Sequence, residues 1–188
     1  MEQYILLNDK ICYNQNVIDC LFLNILKMEV LFMEKLMNVA SYIYNRYYLT
    51  KGERIDEMKL HKMLYFAQRE ALIQRNEPLF AETFYGWKFG PVLKEIRNVY
   101  KDGSFIEEVE EGVIDRVKSI MDKVFEEYAD KDSWSLSRLT HGEYSWKNAR
   151  KEIPDGVNGD NPMDINDIAK DAERVRLRRV ALAKLGLI

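Results

Sequence analysis

Apolar side chains recur along this chain mostly in steps of three and four. Leu36, Val39, Ala40, Ile43 and Tyr47 fall on one face of a helix that begins near Met33 and ends at Thr50-Lys51-Gly52. A second helix is expected to open at Asp56, whose carboxylate suits an N-cap, with Ile55 and Leu60 spaced as a hydrophobic staple. Its apolar positions run through Leu60, Met63, Leu64, Ala67, Ala71 and Leu72 until Asn76-Glu77-Pro78 closes it. The period then changes to two. From Glu82 to Phe89, Thr83, Tyr85, Trp87 and Phe89 share one side of a short strand, and Phe84, Gly86 and Lys88 the other. Gly90-Pro91 is expected to stop the strand, with Pro91 in the first turn of a helix reaching Tyr100, where a missing N–H is harmless. Asp102-Gly103 marks a turn, and Ser104 to Ile106 is a candidate partner for the strand.

The second half continues the helical pattern. Val109, Val113, Val117, Ile120, Met121, Val124, Phe125 and Tyr128 make an apolar stripe opposite Glu110, Asp115, Lys118, Asp122 and Glu126. Asp130-Lys131-Asp132 breaks that helix. Short helices are expected over Trp134 to Leu139 and Glu143 to Lys151, with Thr140 and Glu143 spaced as a capping box. Ile153 to Pro162 is the longest loop, and a last helix runs from near Asp164 to Leu185. The fold class that follows is mainly α: a single compact helical domain with a short inserted two- or three-stranded β element.

Composition narrows the class without naming a function. The chain has 188 residues, enough for one domain with a sizeable core, and its 47% hydrophobic and 31% charged content is that of a globular protein. A formal charge of −3 supplies no electrostatic footprint for nucleic acid. Cys12 and Cys20 have no companion pair and no nearby histidine, which excludes the usual zinc spacings and gives no metal or other cofactor to expect. The apolar-rich stretch from Val17 to Phe32 is interrupted by Asp19, Asn24, Lys27 and Glu29, so a membrane span is not expected. With no secretory leader pattern at the N-terminus, the expected compartment is the cytoplasm.

Candidate chemistry is sparse. His61 lies one helical turn from Glu57 and is expected to pair with it, partly exposed. His141 follows a helix end, and Glu143 is accounted for by the cap. Gly86 and Gly90 lack the Lys-Ser or Lys-Thr of a phosphate loop and read as a hinge. Arg174, Arg176, Arg178, Arg179 and Lys184 read as a solvated face or a contact for an acidic partner. Trp87 and Trp146 are assigned first to the core and second to an interface, where tryptophan is enriched, and Tyr85 tolerates a wet edge. No enzyme is expected.

The helix Lys59 to Ala67, then Pro78-Leu79-Phe80, then Trp87-Lys88-Phe89-Gly90-Pro91-Val92, then Leu139-Thr140-His141 and Trp146 together resemble the Panacea domain. This is the family of SocA-like antitoxins and GepA-type phage-associated proteins. The resemblance covers Met33 to Lys151 and departs at Ser145, where a proline is expected before Trp146. It implies an antitoxin that neutralises a cognate protein toxin by direct binding, and for some members an adaptor that delivers the toxin to a protease. The alternative is a phage-associated interaction protein that modulates a host factor without a toxin. Residues 1–32 lie outside the resemblance, the Panacea-like domain being 33–188. Two readings stay open for them: an extension from an upstream start, or an amphipathic helix through Leu21, Phe22 and Ile25 that docks on a partner or a second copy. Candidate partner-binding residues are therefore Tyr85, Trp87, His141, Trp146, Leu21, Phe22 and Ile25.

Overall fold

In this computed structural model, residues 33–102 and 109–187 are described, and Glu34–Ile188 forms one compact unit distinct from Met1–Met33. The expected helix at Leu21, Phe22 and Ile25 and the expected strand at residues 104–106 lie outside the described residues.

The helices form where the apolar periodicity put them. α1 (Leu36–Lys51) turns its stripe inward, with Leu36, Val39, Ala40, Ile43 and Tyr47 all buried, and stops at left-handed Gly52. α2 (Glu57–Arg75) is capped by Asp56, which accepts the Lys59 N–H at 2.9 Å, and ends on Asn76 in the left-handed region. α2 is the axis of this unit. Every residue from Lys59 to Leu72 is buried, because α1, the sheet and the later helices pack around it. Most of its buried polar side chains find partners inside, although His61 Nε2 and Arg69 Nε make no hydrogen bond. Gln68 accepts the N–H groups of Leu79 and Phe80 and donates to the Phe80 carbonyl, which pins the chain leaving α2.

A two-stranded antiparallel sheet follows, β1 (Tyr85–Trp87) with β2 (Gly90–Val92), and then α3 (Lys94–Asp102). This corrects two expectations. The strand is three residues long, and Pro91 lies within β2 instead of opening a helix. Pro91 pairs with Gly86, whose N–H goes to Asn161 and whose carbonyl accepts from Arg150. Their backbone groups face away from each other, so the ladder needs no N–H from Pro91. The buried side of the strand is also the opposite one. Phe84 and Gly86 face inward while Tyr85 and Trp87 are half-exposed, so Trp87 is not a core residue. On the far edge of β1, Tyr85 bridges Pro162.

α4 (Val113–Tyr128) buries Val113, Val117, Ile120, Met121, Val124, Phe125 and Tyr128 against α1 and α2, and Phe66 stacks on Tyr128. It begins four residues later than the stripe suggested, after a turn at Gly112, and Val109 packs on the core from outside the helix. α5 (Ser133–His141), capped by Asp132, and α6 (Tyr144–Ala149) pack on the sheet. α7 (Ile165–Lys184) closes the unit against α2 and α6.

The capping box between Thr140 and Glu143 does not form. Thr140 Oγ1 donates to the Ser137 carbonyl, and the Glu143 carboxylate turns inward to Arg69 at 2.5 Å and Arg174 at 3.0 Å. Asp171 of α7 caps α6 from outside: its carboxylate accepts the N–H groups of Tyr144 and Ser145 at 2.8 and 2.9 Å. Ser145 also meets the Tyr65 hydroxyl at 2.9 Å. The residue that departs from the expected proline thus supplies both an N–H and a hydroxyl to this buried junction.

Candidate partner-binding surface

The most prominent surface feature grows out of the Lys88-Phe89 turn that joins β1 to β2. Among the described non-glycine residues only Asn76 has a positive φ, so Lys88 and Phe89 make an ordinary turn, and the left-handed step falls on Gly90 at φ 105°. That conformation lets the backbone press into the body of the protein. A β-carbon at Gly90 would stand 2.5 Å from both Lys62 Cε and Thr140 Oγ1. The turn is then held from three helices. Lys62 Nζ of α2 donates to the Pro91 carbonyl, Ser137 Oγ of α5 to the Phe89 carbonyl, and Trp146 Nε1 of α6 to the Trp87 carbonyl, each at 2.9 Å. Gly90 serves close approach, not hinge motion.

Held this way, the turn projects Phe89, 46% exposed, beside Trp134 of α5, 57% exposed. Their rings meet edge to face with centroids 5.5 Å apart. Behind them His141 stacks flat on Trp146 at 4.1 Å. Phe89 is the ridge between two clefts. One, of about 380 Å³, is lined by Met58, His61, Lys62, Trp87, Val92 and Arg97, among others. The other, of about 330 Å³, is lined by Lys88, Trp134, Arg138, His141, Trp146 and Arg150, among others. All three tryptophans of the chain therefore line this surface. Aromatic groups on rigid backing lose little conformational freedom when they are covered, which makes them effective binding anchors.

The polar groups beneath are tuned by burial. Lys62 is 1% exposed, and desolvation lowers its pKa to about 7 against the pull of Asp56 and Glu57. His61, expected to be partly exposed, is 2% exposed. Its Nδ1 accepts the Leu93 N–H at 3.3 Å, while Nε2 stands 3.7 Å from Glu57, beyond hydrogen-bond reach. Burial pushes the His61 pKa down, and His141 is lowered by burial and by nearby Lys62 and Arg150. Both imidazoles are held toward the neutral form, which suits packing and stacking.

A third and larger cavity, about 710 Å³, opens between α2, α4 and α7. Arg69 and Glu143 form its buried floor. Lys123, Arg174, Arg178 and Arg179 line it together with Glu126 and Glu127. Burial, with the Asp171 carboxylate nearby, pushes Glu143 up to about 7 in spite of Arg69. The arginine run of α7 is largely consumed by the fold. Arg174 pairs with Glu143 and Asp171, Arg176 with Glu173, and Arg179 with Glu70 and Glu127. Most of these charges are paired with one another, although five cations against three carboxylates leave the lining net positive. Among the described residues there is no cluster of three or more His, Cys, Asp or Glu able to hold a metal, and no helix long and apolar enough to cross a membrane.

Of the residues singled out in the sequence, Trp87, His141 and Trp146 converge on this surface. Tyr85 lies at its margin, half-buried, with Lys94 Nζ 3.8 Å from its ring centre. Leu21, Phe22 and Ile25 lie outside the described residues. Phe89 and Trp134 were missed as anchors. Phe89 falls on the strand side that the alternation reads as apolar, and Trp134 lies in a helix too short for its pattern to assign a face. The available signal is Trp134 itself, a large apolar side chain among polar neighbours two residues after the N-cap Asp132.

Residues 60–147 match the family model described as antitoxin SocA-like, Panacea domain. The match runs from α2 through most of α6 and contains every aromatic residue of the two clefts. It bears out the resemblance drawn from the sequence, over a span narrower than 33–151 at both ends. No curated protein and no solved structure matches the chain.

Proposed function

We propose that this protein, whose residues 60–147 match the SocA-like Panacea domain model, is an antitoxin that holds a cognate protein toxin on the surface around the Lys88-Phe89 turn. Neutralisation is stoichiometric masking in the cytoplasm and requires no covalent chemistry. The complex must only outcompete the toxin's hold on its own target. The observation that carries the reading is the exposed Phe89–Trp134 pair, mounted on a turn tied to three helices and lying inside the matched span.

The test begins with the reading frames adjacent to the gene. Expression of one of them alone should arrest growth, and this protein should restore growth and co-elute with its product at fixed stoichiometry. The double variant Phe89→Ala/Trp134→Ala should remain folded and lose both effects. If no neighbour is toxic, the toxin assignment falls; if the double variant still rescues, the assignment of the surface falls. Toxin half-life in the complex separates masking from adaptor-type delivery to a protease, since masking leaves it unshortened.

A further inference from the structure

The cleft on the α5–α6 side of Phe89 carries information about the segment it grips. Resting on the reading above, we propose that it receives an extended acidic segment of the partner protein. One large apolar side chain sits between the Phe89–Trp134 pair and the His141–Trp146 stack, and flanking carboxylates meet Lys88 and Arg138.

The argument is one of charge and shape. Lys88 and Arg138 are exposed at the mouth of this cleft, and neither has a carboxylate within ion-pair distance among the described residues. Other exposed cations such as Lys131, Lys147 and Arg178 also lack an ion pair among the described residues, but Lys88 and Arg138 stand together on one lining beside exposed aromatic rings. Lys88 instead holds its ammonium 5.1 Å from the centre of the Phe89 ring, and Arg138 donates to Ser135 Oγ. Arg150 lies deeper, its guanidinium committed to the Gly86 and Val157 carbonyls, and contributes a fixed positive charge behind Trp146. Asp155 is the one opposing charge on the lining. The cleft is thus net positive on a chain of formal charge −3. A partner segment laid against its aromatic walls would displace water, which strengthens a carboxylate contact made there relative to one made in bulk solvent.

A volume of about 330 Å³ holds one side chain of leucine or phenylalanine size with its adjoining backbone. Aromatic walls with two cations also suit a stacked base, but single-stranded nucleic acid needs a cationic groove that tracks successive phosphates. Two exposed cations at one cleft, with Asp155 also on the lining, do not make such a track, so a polypeptide is favoured.

The experiment selects ligands for the full chain from a random dodecapeptide phage library, then measures the recovered peptides by fluorescence anisotropy. Recovered peptides should be enriched in Asp and Glu around an aromatic or leucine. They should bind Lys88→Glu/Arg138→Glu at least tenfold more weakly, and their Asn/Gln counterparts should bind the unmodified protein at least tenfold more weakly. Both substituted side chains are exposed, and circular dichroism confirms that the variant is folded. The proposal is overturned if no peptide is recovered, if recovered peptides lack the acidic bias, if the charge-reversed variant binds them equally, or if an oligothymidylate binds more tightly and displaces them. These outcomes leave the antitoxin reading standing, because toxin rescue by the Phe89→Ala/Trp134→Ala variant is scored separately.

Discussion

Gly90 and Lys62 approach so closely that a β-carbon on residue 90 would stand 2.5 Å from Lys62 Cε, with Thr140 Oγ1 at the same distance on the other side. The turn that carries Phe89 is therefore set by contact with the most buried of the described helices. Gly90→Ala should combine backbone strain at φ 105° with overpacking against Lys62 and Thr140. The expected loss is about 2–4 kcal/mol in urea denaturation. A loss under about 0.5 kcal/mol would mean that the contact relaxes without cost.

The same lysine should make stability depend on pH above neutrality. In the folded protein Lys62 gives up its proton at about 7, while in the unfolded chain it keeps it up to the ordinary value of 10.5. Between those limits the unfolded state binds more protons, so stability rises with pH, by at most about 1.4 kcal/mol per unit. Below pH 7 the cost of the buried ammonium is fully present. Lys62→Met should flatten this rise in denaturation midpoints taken from pH 7 to 10. Parallel profiles for the two proteins would assign the effect to another group.

Asp171 caps a helix that does not belong to its own segment. Asp171→Ala strands the buried N–H of Ser145 and the part-buried N–H of Tyr144 and removes an acceptor 3.4 Å from the Tyr65 hydroxyl. We expect a loss of about 2–4 kcal/mol, and faster amide exchange in Tyr144–Ala149 than elsewhere in the protein. Exchange that stays uniform would show that α6 is held by its packing alone.

The exposed aromatic pair should behave in the opposite way. Trp134→Ala removes a side chain that is 57% exposed and outside the core cluster, so stability should change by less than about 1 kcal/mol. Partner affinity should fall at least tenfold, about 1.4 kcal/mol, by titration calorimetry. A variant that binds normally removes Trp134 from the contact surface.

The amino-acid sequence by itself determined the helices. Residues spaced three and four apart, as in Leu36, Val39, Ala40 and Ile43 or Val117, Ile120, Met121 and Val124, must share a face, and capping by Asp56, Asp132 and Asp164 is local chemistry. It also carried the resemblance that the family-model match over residues 60–147 bears out, because ordered spacings survive without coordinates. The three-dimensional arrangement alone decided which face of the strand is buried, since period-two alternation is the same pattern whichever side meets the core. Gly86 reads in the sequence as part of a hinge, yet it is a buried strand position whose backbone Arg150 and Asn161 take. Tertiary contact likewise took Glu143 from a local cap to Arg69, 74 residues away, and brought Trp134 beside Phe89, 45 residues earlier in the chain. Periodicity records what a residue does to its near neighbours. A binding surface is made by residues that are distant in the chain and whose pairing no local spacing encodes.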